Sequence, residues 1–306
     1  MKLTSANQIN LYGLNNEFNN FKNLYEKNKL PNQILLSGLK GSGKCTLAYH
    51  LINFILSIDE EYPYDISKFK INEKNKSYKL VQNNIHPNFQ LIDISGEKKK
   101  IDIDQIRNLI QNITKSSFNN KPRFILVDNI EYLSINSINA LLKVLEEPSE
   151  NIFFILINNN KKILPTLKSR CLNFKISLSN NDNKKICNFI LNDEISNFIN
   201  DSFLDYYYTP GKIYRLVNFA EENNIDLVNN DLKNFLIKII GEGYYKKDLS
   251  LKIILGDFIE LYLIKNFSIN SFDFFSYFIR KFKNLREFNL DEESLFLEFK
   301  SKLLDG

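Results

Sequence analysis

The segment with the clearest chemistry is a glycine-rich loop that ends in a lysine. Residues 38–44 read Gly-Leu-Lys-Gly-Ser-Gly-Lys, after an apolar run at 34–36 and before a largely apolar stretch that reaches Leu56. Glycines let consecutive backbone N–H groups face a phosphate, and the lysine and the next helix N-terminus add positive potential. The alternative is an ordinary glycine-rich turn with an exposed lysine. The residues of the predicted phosphate site are Gly38, Gly41, Gly43 and Lys44.

The position after the lysine departs from the pattern of a P-loop ATPase. Cys45 stands where serine or threonine would bind Mg²⁺, a hard cation that prefers oxygen. Thr46 is the next hydroxyl, but one helical step rotates its side chain by about 100°. Asp128 ends an apolar run as a metal-side aspartate would, and Asn129 follows where such an ATPase has a glutamate base. We assign Cys45, Thr46 and Asp128 to a degenerate site, expect Glu131 on a solvated turn, and expect weak ATP or ADP binding with little hydrolysis.

The elements around the loop must place these groups in a parallel sheet. Continuous apolar runs at 34–36, 124–127 and 152–157 suit strands that are buried on both faces. One amphipathic stretch, 101–113, precedes the second run, and another, 135–145, lies between the second and third runs. Alternating strands and helices predict a doubly wound α/β domain.

The rest of the chain reads as loops and helices. Residues 59–84 are polar and irregular, which predicts a surface insertion. After the polar stretch 179–183 we expect helices at 186–199 and 212–222, then helices to Leu304 with turns near Gly241 and Asn284. The predicted domains are 1–178, a small helical domain at 179–231 and a helical C-terminal domain at 232–306.

Bulk composition limits the classes of partner and metal. The 306 residues are 43% hydrophobic and 25% charged with a net charge of +4, which tolerates a nucleic-acid partner without requiring one. Cys45, Cys171 and Cys187 are far apart, so we predict neither a disulfide framework nor a zinc site. No apolar run approaches the length of a membrane span, and we expect no membrane partner and a cytoplasmic location.

Several motifs in this order resemble the AAA+ subunits of bacterial DNA polymerase III clamp loaders, and among these the delta-prime type. Leu30–Gly38 is similar to the entry into the P-loop of that family, and His86–Phe89 to its motif before the next strand. Residues 139–148 read Asn-Ala-Leu-Leu-Lys-Val-Leu-Glu-Glu-Pro, and residues 169–171 read Ser-Arg-Cys. The resemblance covers residues 8–220 well, and the later helices by length and type.

The resemblance implies roles for three further residues. Arg170 in Ser-Arg-Cys would be an arginine finger for ATP bound to a neighbouring subunit, since its forked guanidinium contacts phosphate oxygens; a surface ion pair is the alternative. Asn158, with Asn159 beside it, matches a polar sensor position, although the chain is rich in asparagine. Lys212 matches a second sensor, and a surface lysine at a helix start is the alternative.

The resemblance also implies an architecture and a function. The expected fold is an α/β P-loop (AAA+/RecA-like) parallel-sheet domain, followed by a small helical lid and an all-helical collar. The expected partners are gamma/tau and delta subunits, with the sliding clamp and primed DNA reached through the complex. The alternatives are an active gamma/tau-type ATPase motor, which should have serine or threonine at 45, glutamate at 129 and a four-cysteine zinc module, or an unrelated P-loop ATPase or kinase.

Overall fold

A computed structural model describes residues 3–94, 100–113, 121–146, 151–204, 208–246, 249–267, 272–288 and 292–304. The strands in this part are β1 (Gln33–Ser37), β2 (Phe89–Ile92), β3 (Arg123–Val127), β4 (Ile152–Asn158) and β5 (Leu172–Lys175). The helices are α1 (Asn15–Glu26), α2 (Lys44–Leu56), α3 (Lys76–Gln82), α4 (Ile103–Ile113), α5 (Ile135–Glu146), α6 (Pro165–Ser169), α7 (Asn180–Leu191), α8 (Pro210–Glu222), α9 (Leu232–Gly241), α10 (Leu249–Lys265), α11 (Phe272–Phe288) and α12 (Glu292–Leu304).

The described strands form one parallel sheet in the order β2-β3-β4-β1-β5. The central strands β1, β3 and β4 are buried along most of their length, as their continuous apolar runs predict. Two hydrophobic clusters account for this burial. One contains α2 residues and the other contains residues of α4 and α5. The predicted α/β P-loop architecture is confirmed.

The chain divides into two compact units, residues 1–182 and 183–306. The division falls inside the polar stretch 179–183. The first unit contains the sheet, and the second consists of helices and short 3-10 turns in its described part. The separation of the second unit into a lid at 179–231 and a collar at 232–306 stays a prediction.

Residues 59–84 lie largely at the surface, as predicted, but they are not irregular throughout. Helix α3 lies within them, and Tyr64 and Tyr78 are buried. The hydroxyl of Tyr64 lies 2.9 Å from Nδ1 of the fully buried His50 on α2, and Nδ2 of Asn53 donates to Oδ1 of Asn75 at 3.0 Å. Buried polar residues such as Asn75 thus have hydrogen-bond partners, whereas Glu61, Ser67 and Lys68 are exposed.

The helical unit has a continuous apolar core that includes an aromatic group of Phe203, Phe235 and Phe258, with ring centroids 5.2 to 5.9 Å apart. Two predicted boundaries are wrong. Helix α7 ends at Leu191 rather than near residue 199, and α11 continues through Asn284 instead of turning there. In the described residues, no helix combines the length and apolarity needed to cross a bilayer.

Candidate functional site

The loop between β1 and α2 has the backbone of a phosphate-binding turn. Gly41 and Gly43 have φ angles of 85° and 86°, in the left-handed region that glycine adopts without strain. At Gly38, a Cβ atom would lie 2.2 Å from the carbonyl oxygen of Ile176, so a side chain there would collide with backbone. Gly43 caps the N-terminus of α2, which therefore begins at Lys44.

Two polar side chains of the loop are buried in it. Lys44 is 3% exposed, and its Nζ donates to the carbonyl oxygens of Gly38 at 2.9 Å and Leu39 at 2.6 Å. Burial lowers the pKa of Lys44 to about 8, partly opposed by the charges of Asp128 and Glu131. Such a lysine remains largely protonated at neutral pH.

Ser42 supplies the second buried group of the loop. Its hydroxyl is buried and finds no hydrogen-bond partner among the described residues. A buried polar atom without a partner costs free energy that a ligand acceptor would recover. The loop, Lys44 and Ser42 therefore fit a phosphate group.

The metal end of the site contains a thiol and a carboxylate that interact electrostatically. Burial, followed by the charge of Asp128, raises the pKa of the Cys45 thiol well above its usual value. Burial and then the charge of Asp93 raise the pKa of Asp128 to about 6. Thr46 lies one residue further along α2 and is partly exposed. A neutral thiol is a poor ligand for Mg²⁺, so this end of the site does not fit that ion.

A chain of hydrogen bonds lies next to Asp128 and includes Asp93, a residue that the motifs do not identify. Asp93, directly after β2, accepts from Nδ2 of Asn129 at 2.9 Å. Oδ1 of Asn129 accepts from Nδ2 of Asn159 at 2.9 Å, and Asn159 also donates to Glu131 at 3.0 Å. Asp93 could have been found as an acid that follows an apolar strand, because side chains after neighbouring parallel strands meet at one sheet edge.

Two sequence expectations change at this network. Glu131 lies on a turn, the 3-10 turn Ile130–Tyr132, but its carboxylate accepts hydrogen bonds from the side chain and backbone of Asn159 instead of pointing only to solvent. The amide of Asn158 binds the backbone N–H and carbonyl of Lys161 at 3.0 and 2.9 Å. It is thus Asn159 whose side chain reaches Asn129, while a sensor role for Asn158 stays a prediction.

Arg170 lies at the C-terminus of the short helix α6. Its Nη1 donates to the carbonyl oxygen of Thr166 at 2.9 Å, and its Nη2 donates to the carboxylate of Glu146 at the end of α5. About 31% of the arginine side chain is exposed. Strand β5, at the edge of the sheet, begins two residues later at Leu172. Glu147 and Pro148 of the Glu-Glu-Pro motif lie outside the described residues.

Two other predicted groups are placed as follows. Lys212 belongs to the helical unit, in the first turn of α8, and its Nζ pairs with Asp257 of α10 at 2.9 Å. Its sensor role stays a prediction. In the described residues, no group of three or more His, Cys, Asp or Glu side chains is arranged to hold a metal ion. The absence of zinc is itself a prediction for measurement.

Comparison with known proteins identifies a family and several relatives. The family model described as DNA polymerase III, delta subunit matches residues 13–180. A DNA polymerase III subunit gamma of Buchnera aphidicola (Schizaphis graminum) is 32% identical over 68% of this chain and 57% of its own length. A subunit delta' of the same organism is 31% identical over 51% of this chain and 45% of its own length. The chain thus spans about half the length of these curated relatives.

Two further comparisons cover more of the chain. A subunit delta' of Buchnera aphidicola (Baizongia pistaciae) is 25% identical over 86% of this chain and 89% of its own length. The crystal structure of a gamma subunit-related protein from Thermotoga maritima aligns with a TM-score of 0.53 and 15% identity, covering 94% of this chain and 98% of that one. The structural match supports the fold alone.

Proposed function

Because this chain belongs to the DNA polymerase III delta subunit family, we propose that it is a delta-prime-type subunit of a bacterial clamp loader. Relatives named subunit delta' support this choice. In the proposed assembly the chain binds gamma/tau and delta subunits and helps to place a sliding clamp on primed DNA, and it acts in the cytoplasm. Its own contribution is structural support and one residue for a neighbouring ATP site, rather than turnover of its own ATP.

The observation that carries this proposal is a neutral thiol, Cys45, beside Asp128 at the metal end of the loop. The phosphate end of the loop keeps its glycines, Lys44 and a buried hydroxyl, so weak binding of ATP or ADP is retained. The metal end has the Cys45 thiol beside Asp128 where a hard oxygen ligand is needed, and Asn129 offers an amide where a base is needed. A site that holds phosphate but neither binds Mg²⁺ nor activates water would be a ligand site without turnover.

The active motor subunit remains the second candidate because relatives named subunit gamma also match this chain. That candidate requires a hard oxygen ligand at position 45 and a base at position 129, and the chain has a thiol and an amide there. Steady-state ATP turnover of the isolated protein with Mg²⁺ separates the two. We expect negligible turnover, whereas a rate on the order of 10 s⁻¹, typical of enzymes, would establish the motor.

We also propose that residues 232–306 form the collar through which the subunit assembles. Support comes from large apolar side chains that remain exposed in this segment, Ile264 at 63%, Phe267 at 50% and Phe272 at 55%. Isolated apolar residues on a surface are common, but three such residues around the end of α10 and the start of α11 suit a contact that buries them. Replacing all three by serine should weaken association with partner subunits, measured by sedimentation, while the far-ultraviolet circular dichroism is retained.

The role of Arg170 is tested in complexes reconstituted from this chain and clamp-loader partners. An arginine finger supplied in trans contributes on the order of 10³–10⁵ in rate, and a ring with several sites dilutes the loss. Arg170→Ala should therefore assemble normally and lower ATP turnover stimulated by clamp and DNA by about 10-fold or more. Arg170→Lys should rescue poorly, because a point charge does not reproduce the planar fork. Unchanged turnover with the alanine variant would contradict the proposed role.

A further inference from the structure

Glu146 is the acidic partner of Arg170, and no role in the proposed mechanism yet depends on it. We propose that Glu146 is a positioning residue that presents the Arg170 guanidinium to a phosphate group held by the neighbouring subunit. This inference rests on the proposed function of Arg170. It adds a second residue, on a different element, to the machinery that this chain supplies.

The guanidinium has two anchors that come from different elements. Nη1 binds the carbonyl oxygen of Thr166 within α6, and Nη2 binds the carboxylate of Glu146 at the end of α5. An arginine has five N–H donors, so contacts with the described residues leave at least one donor on each terminal nitrogen as well as Nε–H. The anchors therefore set the plane of the fork without consuming the donors that an incoming phosphate needs.

The two anchoring groups belong to helices α5 and α6, which pack against the same apolar core. Leu145, which precedes Glu146, is 3% exposed, and Leu167 of α6 is fully buried. Both belong to the hydrophobic cluster beside β3 and β4. Packed helices hold their surface side chains within a narrow range of positions, which is the support that an oriented functional group requires.

The ion pair between Arg170 and Glu146 is weak enough to orient the arginine without locking it in an inactive position. About 31% of the Arg170 side chain and 52% of the Glu146 side chain are exposed. Exposed ion pairs are weak in water, so the contact does not prevent the fork from turning toward a doubly charged phosphate. Restricting the rotamers of a long side chain before binding still lowers the entropy lost when the phosphate contact forms.

The alternative explanation is that Glu146 merely stabilises the end of α6 through an ordinary surface pair. The matched control is Glu26, which pairs with Lys22 at 3.0 Å and has 48% of its side chain exposed. Glu26→Ala removes a pair of similar exposure on α1. Comparing the two variants separates loss of a surface pair from loss of positioning.

The experiment measures kcat and KM for ATP in reconstituted complexes stimulated by clamp and DNA. We expect Glu146→Ala to lower kcat roughly threefold or more, and no further than Arg170→Ala, because misplaced catalytic groups lose rate steeply with distance. KM should stay unchanged, since Arg170 acts on charge that develops in the transition state. Glu146→Gln should retain most of kcat because its amide oxygen still accepts from Nη2, and Glu26→Ala should match the wild type.

A double variant shows whether Glu146 works through Arg170. With Arg170→Ala already present, adding Glu146→Ala should lower kcat no further. An additional loss, or wild-type kcat for Glu146→Ala alone in complexes where Arg170→Ala is impaired, would overturn the positioning role and leave the proposed function intact. If Arg170→Ala itself retains full activity, the proposed function fails first. Equal unfolding midpoints for Glu146→Ala and Glu26→Ala exclude a folding defect as the cause.

Discussion

Replacing Asp128 by asparagine tests the electrostatics of the degenerate site directly. Asp128 is held beside the Cys45 thiol and near Asp93, and burial is the main cause that raises its pKa to about 6. Its charge is therefore unfavourable in the folded chain. Asparagine removes the charge and keeps an oxygen to accept from the backbone N–H of Asn129, now at 2.8 Å. We expect Asp128→Asn to stabilise the protein at neutral pH.

The magnitude follows from linkage. Raising the pKa from 3.8 to about 6 corresponds to about 3 kcal/mol. Between these values the folded chain holds a proton that the unfolded chain has released, so wild-type stability falls as pH rises from about 4 to about 6. The advantage of Asp128→Asn should be close to zero below pH 4, about half of its full value at pH 5, and about 3 kcal/mol at pH 7.

The assay is urea unfolding of both proteins at pH 4, 5 and 7, followed by circular dichroism. Because the chain has two compact units, unfolding of the sheet unit is followed separately by hydrogen exchange at the amides of the buried strand β3. A pH of 7 keeps the measurement below the pKa of Lys44, about 8, so that this group stays largely protonated. The control is Asp104→Asn, an exposed carboxylate with 78% of its side chain accessible, which should change stability by less than about 0.5 kcal/mol.

Two results would refute this reasoning. A variant that is less stable than the wild type at pH 7 would show that the carboxylate charge is compensated in the folded site. A stabilisation of equal size at every pH would show that the gain does not come from titration. In either case, the description of Asp128 as a charge buried at a cost would be wrong.

Three further predictions concern the metal end, the helical core and zinc. Cys45→Thr restores a hard oxygen beside Asp128, so Mg²⁺ should strengthen ATP binding by this variant about 10-fold, equivalent to about 1.4 kcal/mol. Mg²⁺ should not affect ATP binding by the wild type. Calorimetry with and without EDTA measures both affinities, and an equal Mg²⁺ dependence of the two proteins would contradict the prediction. Phe235→Ala leaves a cavity beside Phe203 and Phe258 and should cost the helical unit about 3 to 5 kcal/mol in urea unfolding, whereas a loss below about 1 kcal/mol would show that the core collapses around the cavity. Elemental analysis of the dialysed protein should find no stoichiometric zinc, because the cysteines lack the close spacing of a structural site.

Local sequence patterns predicted the central strands of the first unit, because continuous apolar runs correspond there to strands buried on both faces. The apolar runs at 124–127 and 152–157 are strands buried on both faces, and the glycine loop lies between a strand and a helix as its motif requires. Strand β5 has no such pattern, because its four residues are mostly exposed and its pairing with β1 is made by backbone. Side-chain patterns carry little information about such an edge strand.

Helix boundaries in the second unit depended on packing that local sequence does not show. Asn284 is a weak helix former and suggested a turn, but the preceding buried residues Phe278 and Phe282 anchor α11 and the helix continues past it. Within residues 59–84, local composition did not show which polar side chains pack. Asn75 and Tyr64 are buried and bind residues of α2, while many of their neighbours are exposed.

The sequence by itself determined which groups the site contains and which it lacks: a lysine-ended glycine loop, a thiol at position 45, an amide at position 129 and an arginine at position 170. Tertiary structure alone decided that the thiol lies near Asp128, that Asn159 connects Asn129 to Glu131, and that Glu146 pairs with Arg170. These partners are 24 to 83 residues apart or on different strands and helices, so their contact depends on the register of a parallel sheet and on helix packing. Burial at that sheet edge then sets the pKa values of Lys44, Cys45 and Asp128, because removing water penalises charge wherever the fold places it.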